Sequence, residues 1–254
     1  MGTIVVVQGY MNKGALYIGT SGWHYKHWIG TYYPPATKEN EQLSLYVKDF
    51  NTVELNNSFY HLPLSKTFKG WAASTPVDFV FAIKASRFIT HMKKLNVLKA
   101  DVNRLLNRTN KLGEKMGPVL FQLPPRWKVN IERLQQFLQR LNPGYRYVFE
   151  CRNETWYVDE VYDLLRQHNC AFCIYELAGP KAPEAVTADF VYIRLHGPGA
   201  KYQGSYDNAT LQAWADKAKT WLKAGKDVYV YFDNDEAGYA AANALKLQQL
   251  SSVI

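Results

Sequence analysis

Eleven polar or ionisable residues stand at the ends of stretches that read as strands: Glu54, Asn56, Lys84, Gln122, Glu150, Arg152, Glu176, Arg194, His196, Asp233 and Asn234. Their types suggest acid–base and anion chemistry. Glu54 or Glu150 could act as general acid or base if neighbouring charges move its pKa. Lys84 suits a counter-ion, an anion binder or a Schiff-base nucleophile. Arg152 and Arg194 suit two-pronged binding of carboxylate or phosphate. His196 suits a proton shuttle or a hydrogen-bonding group. Glu54, Lys84, Glu150 and His196 are therefore the catalytic candidates, and the other seven are expected to bind substrate.

The densest stretch is YVFECRNETW, Tyr147–Trp156. Alternation puts Val148, Glu150 and Arg152 on one strand face, with Phe149 and Cys151 on the other. A carboxylate and a guanidinium at the end of an inner face are costly unless that end opens into a polar site. The alternative is a structural ion pair. Aromatic residues in the neighbouring loops, Trp23, Tyr60, Trp156, Tyr202 and Tyr206 among them, would wall such a site and suit sugars or bases. The loop GPGAKYQGSYD, Gly197–Asp207, is placed where barrels often cradle phosphate through backbone N–H groups. His24, His27, His61, His91 and His196 show no zinc-enzyme spacing, so no metal ligands are assigned. The cofactor is left unknown, with a divalent metal as the open option.

The elements that must position these groups alternate. Strands are predicted at Leu16–Thr20, Thr52–Asn56, Phe79–Ala85, Val119–Leu123, Tyr145–Cys151, Ala171–Glu176, Phe190–His196 and Val228–Asp233. Helical periodicity follows most of them, as at Glu41–Phe50, Ser65–Ala73, Ile131–Leu141 and Ala237–Leu250. Gly117-Pro118 is read as the stop of the helix before strand four. Eight such repeats in 254 residues predict an α/β fold, a (β/α)8 TIM barrel of parallel strands. The alternative is a doubly wound sheet, but no Gly-x-Gly-x-x-Gly or P-loop motif lies at a strand–helix junction.

Composition narrows the class further. The chain is 47% hydrophobic and carries no apolar run long enough to span a bilayer, so no membrane association is expected. An odd number of cysteines, 3, argues for a reducing, cytoplasmic setting rather than a disulfide framework. The Cys170-x-x-Cys173 pair would point to opposite strand faces, against a redox role. Net charge is +8, and the segment 84–115 holds nine basic residues against Asp101 and Glu114. Such a field attracts anionic ligands or nucleic acid.

Several motifs together resemble the domain-of-unknown-function 72, or YecE-like, family. They are Gly19-Thr20-Ser21-Gly22-Trp23 with Trp28; Val53-Glu54-Leu55-Asn56 with Phe59-Tyr60; Lys84 with Arg87-Phe88-Ile89-Thr90-His91; Gln122-Leu123-Pro124-Pro125; Phe149-Glu150 with Arg152 and Trp156; Arg194 and His196 with Tyr202 and Tyr206; and Phe232 with Asn234. The resemblance runs from Tyr17 to Leu250 and implies a TIM barrel with a polar pocket at the strand C-termini, but no particular reaction. Asp233 departs from an expected Asn, and Glu176 from an expected Asp. Residues 1–15 fall outside it and are read as an N-terminal extension to one barrel domain, 16–254.

The expected function is an enzyme or ligand binder acting on a small anionic, phosphorylated or sugar-like ligand, as a hydrolase or a lyase/isomerase if catalytic. The alternatives are a nucleic-acid binder or phosphodiester-cleaving protein using the basic segment, and a non-catalytic ligand sensor.

Overall fold

A computed structural model of the chain describes residues 13–252. Eight parallel strands follow one another: β1 Leu16–Thr20, β2 Thr52–Leu55, β3 Val80–Lys84, β4 Met116–Gln122, β5 Tyr147–Glu150, β6 Ala171–Glu176, β7 Phe190–Leu195 and β8 Asp227–Phe232. From β2 to β8 each strand pairs with the next in sequence, and β8 returns to pair with β1. Helices fill the connections: α1 Gln42–Asp49, α2 Asn57–Tyr60, α3 Ser65–Ala73, α4 Lys99–Thr109, α5 Ile131–Leu138, α6 Asp159–Gln167, α7 Asn208–Lys223 and α8 Tyr239–Ser252. This is the (β/α)8 TIM barrel, and it brings all eight strand C-termini to one mouth.

The barrel is nearly closed. Among the described residues no ladder joins β1 to β2. A side chain bridges the seam instead: the Tyr46 hydroxyl accepts from the Thr20 amide at 3.0 Å and donates to the Thr52 carbonyl at 3.0 Å. Gly19 lets the strands approach, because a Cβ there would sit 2.3 Å from the Thr52 oxygen.

Strands buried on both faces explain the long apolar runs in the sequence. Below the mouth the lumen is filled by tyrosines. Tyr17 stacks on Tyr229 at 4.7 Å, and Tyr192 packs against Tyr231 at 5.2 Å. Their hydroxyls are satisfied where buried, as Tyr231 is by Thr52 Oγ1 at 2.7 Å. Outside the barrel Phe121 and Phe149 pack on Phe137 of α5.

One sequence expectation is corrected. Gly117-Pro118 does not end a helix: α4 stops at Thr109, a 3-10 turn follows, and both residues lie inside β4. The register between β3 and β4 shifts there, so the proline, which has no N–H to donate, sits at a bulge. The close approach of Val80 Cγ1, 2.6 Å from where a Gly117 Cβ would stand, explains the glycine.

Candidate functional site

Alternation along the strands decides which side chains enter the lumen. In β7, Tyr192 and Arg194 point inward, opposite Cys173 and Tyr175 of β6 and Tyr229 and Tyr231 of β8. Continuing that parity puts Glu54 in β2 and Asn56 just after it, Lys84 at the end of β3, Gln122 and Glu150 on β4 and β5, and His196 and Asp233 beyond β7 and β8 at the same level.

Arg194 is the hub. It is fully buried, as are Glu54, Glu150 and His196. Its Nη2 donates to Glu54 Oε1 at 2.6 Å and reaches Asp233 Oδ2 at 3.2 Å, while Nη1 donates to Glu150 Oε2 at 2.7 Å. Glu54 also accepts from Ser21 Oγ at 2.8 Å and from the Tyr192 hydroxyl at 2.6 Å. Glu150 Oε1 accepts from Gln122 Nε2 at 3.1 Å and from Arg152 Nε. Arg152 in turn lies over the Tyr175 ring, 4.6 Å from its centroid.

This web fixes the protonation chemistry. Burial opposes ionisation of Glu150, but the charges of Arg152 and Arg194 outweigh it and hold its carboxyl well below the usual carboxylate range. Asp233 behaves alike: burial is overcome by His196 and Arg194, and its carboxyl is lowered. Arg152 Nη2 lies 2.8 Å from His196 Nε2, and a guanidinium can only donate. Nε2 therefore accepts, Nδ1 carries the proton, and that N–H donates to Asp233 Oδ2 at 3.0 Å. Both ring nitrogens of His196 are occupied within the protein.

Lys84 differs from all of these. Its ammonium has no hydrogen-bond or ion-pair partner among the described residues and rests over the Phe59 ring, 4.6 Å from the centroid. Burial, together with the charge of Arg194, pushes it below the ordinary lysine range despite the opposing pull of Glu150, Glu54 and Asp233.

Two cavities meet at the mouth. The one above Lys84, about 510 Å³, is also lined by Tyr25, Asn56, Tyr60, Lys201, Tyr202 and Asp233. A larger one, about 660 Å³, lies to the side between the loop after β1, α1 and α3, with Trp23, Leu43, Asn40 and Trp71 in its wall. Tyr25 and Asn56 line both. Asn56 Nδ2 donates to the Ser21 carbonyl at 3.2 Å, and its buried Oδ1 has no partner among the described residues. At the rim, Asp235 accepts from Trp28 Nε1 at 2.6 Å and lies 3.0 Å from His27 Nε2, and burial pushes its carboxyl up to about 6.

The structure thus gathers Glu54, Asn56, Lys84, Gln122, Glu150, Arg152, Arg194, His196, Tyr202 and Asp233 at one mouth, with Tyr60 at its edge and Trp23 in the side cavity. Four expected site residues serve elsewhere. Glu176 pairs in register with Leu195, so it faces outward, near Lys181 at 3.5 Å; Tyr175 holds the inner position. Trp156 is buried and donates to the Trp127 carbonyl at 2.8 Å. Tyr206 is buried too, its hydroxyl accepting from the Gly197 amide at 3.0 Å. Asn234 donates to the Gly204 carbonyl and to Asn243 Oδ1, both at 2.8 Å, and so braces the loop behind the mouth.

The phosphate-cradling expectation for the loop after β7 also meets an obstacle: the amides of Gly197, Tyr202 and Gln203 are already bonded within the protein. No group of three or more His, Cys, Asp or Glu residues among those described is arranged to hold a metal. The basic segment is divided: Lys84 faces the mouth, Arg108 and Lys115 donate to the carbonyls of Leu62 and Thr75, and Arg87, Lys93, Lys94, Lys99, Arg104 and Lys111 are exposed. No described helix is long and apolar enough to cross a membrane.

Fold and site define a TIM barrel with an ion-paired polar floor at its C-terminal mouth. The chain belongs to the family described as protein of unknown function DUF72, whose model matches residues 17–253. It is 25% identical over 278 residues to the UPF0759 protein YunF of Bacillus subtilis, covering 94% of this chain and 95% of that protein. It is 27% identical over 143 residues to the UPF0759 protein YecE of Escherichia coli K12, a match spanning 56% of this chain and 50% of the relative. Among solved structures, a DUF72 family protein of Thermotoga maritima superposes with a TM-score of 0.83 at 28% identity, covering 94% of this chain and 99% of the other. One of Enterococcus faecalis shares the fold with a TM-score of 0.80 at 18% identity, covering 94% of this chain and 96% of the other.

Proposed function

We propose that the barrel mouth binds and transforms a small anionic ligand whose negatively charged oxygen rests against Lys84. The observation that carries this reading is the ammonium without a partner. The nearby Arg152, Arg194, Glu54, Glu150 and Asp233 are ion-paired with one another, whereas Lys84 faces a cavity of about 510 Å³. A half-buried cation in that position gains most from an anion that arrives with the ligand. Lys201 on the same wall adds a second positive charge.

On this reading the acid–base roles move. Glu54 and Glu150 are locked to Arg194 and serve as the frame, and His196 holds Asp233 and Arg152 in place. Lys84 and Asp233, which both line the cavity, are the groups in reach of a ligand. Calorimetric titration with a panel of small carboxylates and phosphates, on the wild type and K84M, tests it. Saturable binding lost in K84M supports the reading; binding equal in both proteins removes it.

A nucleic-acid reading retains one supporting observation, the six exposed basic residues between Arg87 and Lys111. It expects affinity for oligonucleotides that falls steeply with salt. Charge reversal at Lys93, Lys94 and Arg104 should abolish that affinity and leave small-ligand binding alone.

A further inference from the structure

The Lys84 side chain has the surroundings of a nucleophile as well as those of a charge partner. Its ammonium meets no carboxylate at ion-pair distance among the described residues, lies against the face of Phe59, and opens on a cavity that it shares with Asp233, Tyr202 and Lys201. We infer that Lys84 forms a covalent imine with the carbonyl carbon of its ligand, so that the substrate class is a small anionic aldehyde or ketone, an oxo acid or a phosphorylated carbonyl compound. This deepens the reading given above and rests on it.

The step balances with groups on hand. The free amine bonds through Nζ to the carbonyl carbon, and the carbonyl π pair moves to oxygen. Oxygen takes up the proton that nitrogen loses, giving a carbinolamine. The proton released when the ammonium becomes the free amine returns to that oxygen, which leaves as water and gives the protonated imine, with no oxidant or reductant required. Asp233, a carboxylate on the cavity wall, can take the proton whose loss frees the amine and return it to the leaving oxygen. The charge arrangement favours the product. Lys84, Arg152 and Arg194 balance Glu54, Glu150 and Asp233, and a protonated imine keeps that balance where an acylated lysine would not. Lys201, at the rim of the same cavity, is free to hold the anionic group while Lys84 engages the carbonyl. The lowered basicity of Lys84 adds to this: burial leaves more of it as free base at neutral pH than an ordinary lysine.

The test is reductive trapping on the full chain. The protein is incubated with glyoxylate, and separately with glyceraldehyde 3-phosphate, in the presence of cyanoborohydride at neutral pH. Adducts are then mapped by peptide mass spectrometry. The inference expects Lys84 to be labelled ahead of every exposed lysine with at least one probe, and the adduct at that position to vanish in K84R, with circular dichroism unchanged. Labelling spread over surface lysines, with Lys84 unmodified by both probes, overturns it. Glycolate, which is anionic but has no carbonyl carbon, separates the two readings. If glycolate binds to the wild type and Lys84 is not trapped, the imine falls and the anion site stands. If neither occurs, both fall.

Discussion

Arg194 Nη2 donates to Glu54 Oε1 at 2.6 Å, joining β7 to β2 across the inside of the barrel where neither side chain touches solvent. The same guanidinium holds Glu150 of β5, so one side chain cross-links three strands. Buried pairs of this kind contribute little net stability over an apolar core, but breaking one strands the partner charges. R194M is therefore expected to lose about 3–5 kcal/mol. R194K should recover only part of that, because an ammonium cannot reproduce the two-pronged geometry. Urea unfolding midpoints check both.

The carboxylates set the acid limb of stability. Glu150 and Asp233 have folded-state pKa values below their ordinary ones, so the folded state favours their charged forms. Their contribution is complete above the unfolded values of about 4.3 and 3.9 and is lost as pH falls through the lower folded values. Denaturant midpoints should thus drop steeply on acidification below about pH 4. E150Q should flatten that slope while lowering stability at neutral pH.

Lys84 carries the opposite sign. A folded pKa below that of the unfolded chain means the folded state disfavours the ammonium, a cost present at neutral pH and relieved as pH rises from the lowered folded value to the unfolded value of about 10.4. K84M is accordingly expected to raise stability at neutral pH by about 0.5–2 kcal/mol, the mark of a residue kept for function at the expense of the fold. Differential scanning calorimetry of wild type and variant reads the change directly.

The Tyr46 hydroxyl bridges the strand backbones at the seam between β1 and β2. Y46F leaves the buried Thr20 amide and Thr52 carbonyl without the atom that bridges them. A loss of about 1–3 kcal/mol is expected, with faster amide exchange in β1 and β2 than in β6 and β7. Equal protection across all strands would show that the seam closes without Tyr46.

Much of this arrangement was legible in the sequence because strand parity and barrel topology act together. Glu54, Lys84, Glu150 and Arg194 lie at inner positions near the ends of regular strands, where a period of two and a shared mouth suffice to bring them together. Glu176 shows the limit of that reasoning: it is the last residue of β6, but parity turns it outward, and only the register against Leu195 reveals this. Tyr192 shares the face of Arg194 and His196 in the sequence pattern, so its bond to Glu54 was within reach, although the 138-residue separation gave no reason to pair them. The side chain of Ser21, the rim pair of His27 with Asp235, and the Tyr46 bridge depend on loop paths that periodicity does not encode. Trp156, Tyr206 and Asn234 were expected in the site because loop residues near a mouth look alike in one dimension; their bonds to Trp127, Gly197 and Gly204 make them supports.

The central claim is that Lys84 waits without a partner for an anionic ligand. The measurement that addresses it most directly is an NMR titration of the Lys84 Nζ in selectively labelled protein, alone and with the small acid that binds best. The account predicts an apparent pKa below the ordinary lysine value of about 10.4 in the free protein, rising when the acid is added. An ordinary value that does not respond to any anion would contradict it.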